Sequence, residues 1–360
     1  MFSEKQYILW LANTGVTSLK LFNIIRTFGS AESFFMSNES GTKESKKQSL
    51  IRICKETEEG MFGYTTFFCP DYPPLLKNIS DPPAIIYYSG DISCLQSPCV
   101  SIIGSRRSSE YGDAAAKTLA HSLAAVGITI ISGMANGVDS AAHEGAIESG
   151  MTAAVLGGGL NKIYPANNVR LMKKIISSGV VLSEHAPDAA PIPAYFSRRN
   201  RIISGISYAT IVCEANEKSG TSGTVNFALE QGREVYAVPG SIFSPLSAGT
   251  NRLIRDGAPI VVNAGDILYN LSLAFPDVFH IKAVPKKEQS LTEPQNLGET
   301  ELKIYNIVRS RTESVSADLI CNKLDIPVEE VLVALTMLEV DGYIKQLPGS
   351  GYVCSKHSLD

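Results

Sequence analysis

The chain has 360 residues, of which 44% are hydrophobic and 19% are charged, and its formal net charge is −4 at pH 7. This composition is typical of a globular protein of two or three domains and excludes a disordered, collagen-like or coiled-coil chain. No apolar run approaches the ~18 residues of a membrane span, and no signal-peptide pattern opens the sequence. Because the net charge is negative, any nucleic-acid site must be a local basic patch.

The cysteines and histidines predict no metal and no cofactor. The seven cysteines are scattered without a CxxC pair, which is typical of reduced thiols in the core of a cytoplasmic protein. Asp139 and His143 are one helical turn apart and could bind a metal, but the sequence offers no third ligand. A helix-stabilising pair or a core histidine is the favoured interpretation.

The hydrophobic pattern divides the chain. Residues 1–62 repeat apolar positions at helical spacing and predict a small helical module. Residues 63–280 alternate short β-branched runs with amphipathic stretches. The runs predict strands over 100–104, 128–132, 152–157, 180–184, 209–214, 234–239 and 259–262, and the stretches predict helices over 110–126, 138–149, 167–178, 199–206, 222–231 and 248–256. This alternation indicates a doubly wound, Rossmann-like α/β domain with a parallel sheet, to which residues 63–95 add peripheral strands.

The C-terminal part begins after a polar stretch. Residues 281–298 are rich in lysine, proline and polar side chains without periodicity, and predict a linker. Residues 299–360 contain three helical patterns followed by a hairpin pattern over 342–353, which together predict a winged-helix module.

Several loops at the carboxyl ends of the predicted strands are rich in glycine and hydroxyl side chains. Glycine lets backbone N–H groups converge on an anion, and the helix that follows adds partial positive charge. One such loop is weak evidence, whereas several at one sheet edge predict a phosphate-binding surface. The loop residues that we single out are Gly104, Ser105, Arg106, Arg107, Ser132, Gly133, Gly157–Gly159, Lys162 and Gly220–Thr224.

A basic cluster accompanies these loops. Arg198, Arg199, Asn200 and Arg201 follow two aromatic residues at the predicted start of a helix. Arginine matches phosphate oxygens and aromatic rings stack on unpaired bases, so the cluster favours a nucleic-acid site. The alternative is a solvated helix start or a structural arginine–carboxylate pair.

Other chemistry is poorly supported. The segment Gly157–Lys162 lacks the third glycine of the dinucleotide fingerprint, and no P-loop motif occurs. Glu184 and His185 suggest acid–base chemistry, but a strand-end turn is the favoured interpretation because no nucleophile has a matching partner and no GxSxG elbow occurs. The sequence therefore shows no catalytic constellation.

The order of the motifs resembles the DNA-processing protein A (DprA, also called Smf) family. The resemblance is strong over about 70–275 and weaker at both ends. The motifs that carry it are Ile103-Gly-Ser-Arg106, Ser132-Gly-Met-Ala-Asn-Gly-Val-Asp-Ser-Ala-Ala-His143, Ala154-Val-Leu-Gly-Gly-Gly-Leu160 with Tyr164-Pro165, Arg199-Asn-Arg-Ile-Ile-Ser-Gly205, Ser219-Gly220, Glu230-Gln-Gly-Arg233, Val238-Pro-Gly240 and Gly249-Thr-Asn251.

The resemblance implies a DNA-binding protein and not an enzyme. Such proteins bind single-stranded DNA, load the RecA recombinase onto it during natural transformation, and usually form dimers through the Rossmann-like domain. It also implies a SAM-like or helix-hairpin-helix N-terminal module and a C-terminal winged helix. The family's phosphate-contacting loops fall on Gly104, Ser105, Arg106, on Ser132 and Gly133, on Arg199, Asn200 and Arg201, and on Gly220, Thr221, Ser222 and Gly223; Lys162 is added from its place at the same edge.

Two points remain open against this resemblance. Residues 299–360 contain ten acidic and six basic side chains, and the third helical pattern carries Glu329, Glu330, Glu339 and Asp341 without a basic residue. A duplex-reading helix needs the opposite sign, so this module is expected to contact protein. The rival function is a Rossmann-like nucleotide phosphoribohydrolase, whose glycine loop the segment Ser219–Thr224 resembles superficially. A pure protein scaffold is a further alternative, and it leaves the arginine cluster unexplained.

Overall fold

The computed structural model describes residues 2–37, 43–60, 62–217, 219–279, 297–310, 314–347 and 351–354. The chain divides into two compact units, residues 1–281 and 282–360. The predicted linker at 281–298 lies almost wholly outside the described residues, and the boundaries of the three predicted domains remain predictions. Within the described ranges, every helix is too short or too polar to cross a bilayer.

The described part of the first unit opens with the helices α1 (Glu4–Ala12), α2 (Ser18–Phe28), α3 (Ala31–Met36) and α4 (Lys43–Glu59). They bury an aromatic centre in which the rings of Trp10 and Phe35 pack nearly perpendicular to each other, with 4.9 Å between the ring centres. Asn13 Nδ2 donates a hydrogen bond to the Tyr87 hydroxyl at 2.7 Å, and Tyr87 belongs to the sheet. The helical module therefore packs against the sheet within one unit.

Eight strands form one sheet in the order β1-β2-β6-β5-β4-β3-β7-β8. β2 pairs antiparallel with β1 and β6, and the pairs from β6 to β8 are parallel. The bounds are β1 (Gly63–Thr66), β2 (Ile85–Gly90), β3 (Cys99–Gly104), β4 (Thr129–Ser132), β5 (Thr152–Val155), β6 (Gly179–Ser183), β7 (Ala209–Glu214) and β8 (Glu234–Ala237).

The helices that follow or cover the strands are α5 (Glu110–Ala125), α6 (Val138–Ile147), α7 (Val169–Ser178), α8 (Pro193–Ile206), α9 (Thr221–Glu230), α10 (Ala248–Arg255) and α11 (Ala264–Ala274). Alternate residues of β3 face opposite sides of the sheet. Val100 and Ile102 join the apolar cluster under α5, α6 and α11, whereas Cys99 and Ile103 join the cluster under α8 and α9. The predicted doubly wound α/β fold, with both faces covered, is confirmed.

Three details differ from the sequence predictions. The predicted strand at 259–262 is reduced to one bridge between Ala237 and Ile260, because the chain turns at Asn263 to cap α11, a helix that was not predicted. Helix α8 begins at Pro193 and not at 199, since proline suits the first turn of a helix, where its missing N–H has no partner to lose. The arginine cluster therefore lies in the second and third turns of α8.

The second unit is a winged helix, as predicted. Its helices are α12 (Glu299–Arg309), α13 (Ala317–Leu324) and α14 (Val328–Val340). Its three-stranded sheet has the order β10-β11-β9, with β9 (Val315–Ser316), β10 (Ile344–Leu347) and β11 (Gly351–Cys354). One apolar cluster joins the helices to this sheet. The predicted hairpin corresponds to the antiparallel pair β10 and β11, and residues 348–350 between them lie outside the described residues.

Candidate nucleic-acid interface

The strand order reverses between β3 and β7. From β3 the chain adds β4, β5 and β6 on one side, then crosses back to place β7 and β8 on the other. Ligands of open α/β sheets bind at such a switch point, beyond the carboxyl ends of the strands. A cavity of about 370 Å³, here called the switch-point cavity, lies at this place. Its lining includes Gly104, Ser105, Arg106, Arg107, Asp139, Arg199, Asn200, Asn216, Ser219, Gly220 and Thr221.

The loop after β3 is held closely by backbone contacts. Ser105 N–H donates to the Glu214 carbonyl at 2.7 Å, and the Ser105 carbonyl accepts from Val138 N–H at 3.2 Å. A side chain at Gly104 would collide with its surroundings, because a Cβ there would lie 2.6 Å from Val138 Cγ2. The backbone at the cavity wall is therefore fixed, and glycine is needed where it passes Val138.

Arg106 and Arg107 carry the exposed positive charge at the rim of the switch-point cavity. Across the ranges that the structure describes, no carboxylate lies within 4 Å of either guanidinium. The Arg106 guanidinium carbon lies 5.9 Å from the centre of the Phe196 ring, within reach of a cation–π contact. Both charges thus remain available for a ligand.

Arg199 lies beneath the cavity and is buried. Its Nη1 donates to the carbonyl oxygens of Gly133, at 2.8 Å, and Val155. Burial lowers the pKa of Arg199 to about 10, and the nearby Asp139 carboxylate opposes this shift, so the guanidinium remains charged at neutral pH. A fixed positive charge therefore lies under the cavity, although most of the side chain cannot touch a ligand.

Asp139 and His143 have partners within the protein. Asp139 Oδ2 accepts the backbone N–H groups of Gly133 and Ala135, and burial raises its pKa against the opposing effect of Arg199. His143 Nδ1 lies 2.7 Å from the Thr152 hydroxyl, and burial lowers the pKa of His143 to about 3. Within the described residues, no three His, Cys, Asp or Glu side chains form a metal-binding group. This geometry fits the core histidine, which was the favoured interpretation.

Arg198 and Arg201 face two carboxylates and not the switch-point cavity. Arg201 is buried, and it pairs with Glu184 Oε2 at 2.6 Å and with Asp81 Oδ2 at 3.0 Å. Arg198 is half-exposed and lies 3.2 Å from Asp81 Oδ2. This arrangement matches the alternative interpretation of the cluster, a structural arginine–carboxylate pair, for these two of its three arginines.

Ser132 and Gly133 are buried at the end of β4. The Ser132 hydroxyl donates to the Ile102 carbonyl at 2.6 Å, and Gly133 N–H is bonded to Asp139. A Cβ on Gly133 would lie 2.5 Å from Arg199 Nη2. These two residues hold the cavity floor together, and their polar groups already have partners.

The loop before α9 presents open backbone. Thr221 is the first residue of the helix, and its N–H donates a hydrogen bond to the Ser219 hydroxyl oxygen at 3.2 Å. The Ser222 hydroxyl donates to the Ser219 carbonyl at 2.8 Å. Gly220 is exposed, and no atom lies within 4 Å of the position that a Cβ would take there, so a ligand can approach its backbone closely. Lys218, which precedes Ser219, lies outside the described residues.

Lys162 lies outside the switch-point cavity, in the exposed loop after β5. The same loop carries Tyr164, whose exposed ring packs against Phe196 in an edge-to-face contact with 5.3 Å between the ring centres. Phe196 in turn lies under Arg106. An aromatic path therefore connects the cavity rim with the loop of Lys162. Sequence reasoning noted the aromatic neighbours of the arginine cluster but missed Tyr164 as a member of this path.

The rival enzyme needs an acidic side chain beside the glycine loop. Glu230 ends α9, whereas the loop adjoins its first residue, Thr221. A helix of this length is about 15 Å long, so Glu230 cannot reach the loop. Glu214, which is buried nearby, accepts hydrogen bonds from Ser109 N–H and its hydroxyl and so anchors the start of α5. Glu230 therefore lies away from the glycine loop, and both carboxylate oxygens of Glu214 have partners in Ser109.

Comparison with known proteins assigns the family. Residues 63–272 match the family model of the DNA recombination-mediator protein A, and residues 289–350 match that of the DprA winged helix domain. The chain belongs to the DprA family. The resemblance that its motifs showed is confirmed, and family proteins are DNA-binding recombination mediators.

Relatives agree with this assignment. The chain is 36% identical to protein Smf of Escherichia coli over 78% of this chain and 74% of that protein. It is 41% identical to the DNA processing protein DprA of Bacillus subtilis over 56% of this chain and 68% of that one.

Two solved DprA structures share the fold. The X-ray structure of DprA from Streptococcus pneumoniae matches with a TM-score of 0.58 and 36% identity over 64% of this chain and 83% of that one. A DprA structure from Helicobacter pylori, solved to explain its single-stranded DNA binding mode, matches with a TM-score of 0.54 and 33% identity over 59% of this chain and 97% of that one.

Proposed function

We propose that this chain binds single-stranded DNA without sequence preference at the switch-point cavity and loads RecA onto it, without catalysing a reaction. The observation that carries the DNA proposal is the pair of arginines, Arg106 and Arg107, exposed at the cavity rim without a carboxylate partner among the described residues. The Helicobacter pylori relative, studied for its binding of single-stranded DNA, supports the choice of ligand.

The cavity and the aromatic path suit a flexible, unpaired strand. Phosphate groups would lie against Arg106, Arg107 and the backbone of Ser105 and Gly220, while bases stack on exposed aromatic surface such as Tyr164. Backbone donors and aromatic faces read no base edge, so the binding is independent of sequence. A duplex keeps its bases stacked inside and cannot use the aromatic path.

The predicted site residues fall into two groups in this proposal. Those that line the switch-point cavity or belong to the loops beside it contact the strand: Gly104, Ser105, Arg106, Arg107, Lys162, Asn200, Gly220, Thr221, Ser222 and Gly223. Those with partners inside the protein position the first group: Ser132, Gly133, Arg198, Arg199 and Arg201. Arg199 also adds its charge from below the cavity floor.

The recombination role and the homodimer extend the proposal beyond the DNA site. RecA loading in natural transformation, in the cytoplasm, is supported by the family assignment and by the DprA relatives. A homodimer through the Rossmann-like domain is supported by apolar side chains exposed near the β8 edge of the sheet, Leu229, Ile260 and Val262. Light scattering of the Ile260→Glu variant should show a monomer where the wild type is a dimer.

The winged helix is proposed to contact protein and not duplex DNA. Helix α14 exposes apolar side chains, including Val333, Met337 and Val340. Acidic residues stand at both ends of this helix, and its sequence contains no basic residue. DNA-reading helices carry basic side chains that approach phosphates, so an apolar helix with acidic ends favours a protein partner.

Fluorescence anisotropy tests the DNA proposal. A labelled dT oligomer is titrated with the full chain, and a duplex of the same length serves as the comparison. We expect tight binding of the single strand at low salt and weaker binding of the duplex. Equal affinities for the two, or no binding at low salt, would contradict the proposal.

A further inference from the structure

The loop between β8 and α10, residues 240–247, is here called the β8 loop. It carries the two most exposed large apolar side chains in the part of the chain that the structure describes, Ile242 at 85% and Phe243 at 89% exposure. A single exposed apolar side chain on a surface needs no explanation, but two adjacent ones at the tip of a loop call for a ligand. None of the contact residues proposed above belongs to this loop.

The β8 loop is ordered by its own hydrogen bonds. Gly240 N–H donates to Asn251 Oδ1 at 3.2 Å, and Asn251 Nδ2 donates to the Gly240 carbonyl at 3.0 Å. A Cβ on Gly240 would collide with Ser247 Oγ, so the two ends of the loop touch there and glycine is required. At the tip, Phe243 N–H donates to the Ser241 hydroxyl at 3.2 Å. The Phe243 ring is therefore presented to solvent by a fixed backbone.

One end of the β8 loop adjoins the switch-point cavity. Strands β3, β7 and β8 are parallel neighbours, so their carboxyl ends lie at the same edge of the sheet. The Leu246 carbonyl accepts the N–H of Ala215 at 2.8 Å. Ala215 precedes Asn216, which lines the cavity. The loop after β8 therefore rests on the loop after β7 beside the cavity.

The other end of the β8 loop is fixed to α5. The Tyr111 hydroxyl donates to the carbonyl of Pro239 at 2.7 Å. Tyr111 lies in the first turn of α5, directly after the loop that follows β3 and forms the cavity rim. Because three residues separate Phe243 from Leu246, their Cα atoms are at most about 11 Å apart. The apolar tip is therefore held close to the proposed phosphate contacts.

The surroundings of the tip suit a polyanion better than a protein. Residues 235–255 contain no aspartate or glutamate and two arginines. One ring and one aliphatic side chain are far smaller than the ~800 Å² that each partner buries in a stable protein interface. An exposed aromatic face beside phosphate-binding groups is a platform for an unpaired base. Phenylalanine has no hydrogen-bonding group, so such a contact keeps the binding independent of sequence.

We propose that Phe243 stacks on an unpaired base of the DNA strand that occupies the switch-point cavity, with Ile242 packing beside the same nucleotide. The inference rests on the proposed function and gives the strand a direction. Tyr164 follows β5 and Phe243 follows β8, and four strand spacings of the sheet, about 19 Å, separate β5 from β8. The strand thus crosses the sheet edge with bases stacked at both ends and phosphates bound between them.

The test compares a dT oligomer with an abasic oligomer of the same length, which has the sugar-phosphate backbone but no bases. Both are titrated with the full chain by fluorescence anisotropy. We expect Phe243→Ala to bind dT about tenfold more weakly, within the range for removal of one base–aromatic stack. Its affinity for the abasic strand should equal that of the wild type. The salt dependence of its dT binding should also be unchanged, because no phosphate contact is lost.

Matched variants separate the ring from its apolar bulk. Phe243→Tyr retains an aromatic face and should retain dT affinity, whereas Phe243→Leu retains apolar bulk without the ring and should lose most of the tenfold. Leu19→Ala removes an exposed apolar side chain on α2 and should match the wild type. Because Phe243 is exposed, the thermal melting of its variants should also match.

Equal dT affinities of Phe243→Ala and the wild type would overturn the inference and leave the proposed function standing. An equal loss on the dT and abasic strands would also overturn it, because the contact would then be to the backbone. Unchanged dT affinity together with an altered molar mass in light scattering would assign the tip to a second copy of this chain, again overturning the inference. Failure of the wild type to bind dT would refute the proposed function, and the inference with it.

Discussion

The substitution Gly133→Ala tests whether the floor of the switch-point cavity is as tightly built as the structure indicates. The added Cβ would lie 2.5 Å from Arg199 Nη2 and 2.7 Å from both Cζ and Nη1. A guanidinium usually moves aside easily, but this one is buried and bonded to the carbonyls of Gly133 and Val155. The methyl group must therefore displace either the loop or the charged hydrogen bonds.

The cost follows from these two possibilities. Overpacking a filled interior costs about 1–3 kcal/mol, and losing a hydrogen bond to a charged group costs about 1.5–3 kcal/mol. A shift of the guanidinium would relieve the overpacking but break hydrogen bonds, so the two costs do not add in full. We therefore expect Gly133→Ala to lower the free energy of unfolding by about 3 kcal/mol. With a urea m-value of about 3 kcal/mol/M, the unfolding midpoint falls by about 1 M.

Fluorescence of the single tryptophan, Trp10, reports this unfolding, because Trp10 belongs to the same apolar cluster as Met134, the neighbour of Gly133. The matched control is Gly220→Ala. Gly220 has helical backbone angles and no atom within 4 Å of an added Cβ, so alanine should leave stability unchanged or raise it by about 0.4–1 kcal/mol. A Gly133→Ala midpoint equal to that of the wild type would refute the reasoning.

Three further predictions concern charge. Arg201→Ala leaves the buried Glu184 carboxylate without its closest partner, so it should lower the free energy of unfolding in urea by about 3–5 kcal/mol. The control Arg107→Ala, at an exposed arginine, should lower it by less than about 0.5 kcal/mol. Equal losses in the two variants would contradict the burial of Arg201. His143 has a folded pKa of about 3 against an ordinary value of 6.5, so the unfolded chain takes up the proton first. Between about pH 6.5 and pH 3 the free energy of unfolding should therefore fall by about 1.4 kcal/mol for each pH unit. Thermal melts should show a flatter pH dependence over this range in His143→Gln, and parallel curves would contradict this. A chain that ends at residue 281 should bind the dT oligomer within about twofold of the full chain, because the acidic winged helix adds no phosphate contact; a tenfold loss would place part of the DNA site in the second unit.

Much of the fold could be predicted because its signals are local. Apolar runs such as 100–104 form strands wherever a sheet buries both of their faces, and the glycine-rich turns after them lead into helices. The prediction failed where one residue shifted a boundary. Helix α8 begins at Pro193, earlier in the chain than the predicted start at residue 199. Asn263 caps α11, so the chain enters a helix where the pattern predicted a further parallel strand.

The candidate site was predictable in its position but not in the role of each side chain. Arg106 and Arg201 look alike in the sequence, and only the fold shows that Arg201 meets Asp81, which is 120 residues away in the chain. Ser132 reads as a loop hydroxyl, yet the neighbouring strand supplies Ile102 as its partner. Such pairings arise from strand order and helix placement, which short patterns do not encode.

The salt dependence of single-strand binding measures the central claim most directly. Each phosphate neutralised by an arginine contributes about −0.7 to the slope of log K against log salt for a single strand. The double variant Arg106→Ala/Arg107→Ala should therefore bind dT more weakly and with a slope shallower by about 1.4, while Arg52→Ala, on the exposed face of α4, should match the wild type. An unchanged slope in the double variant would contradict a phosphate-binding site at the switch point.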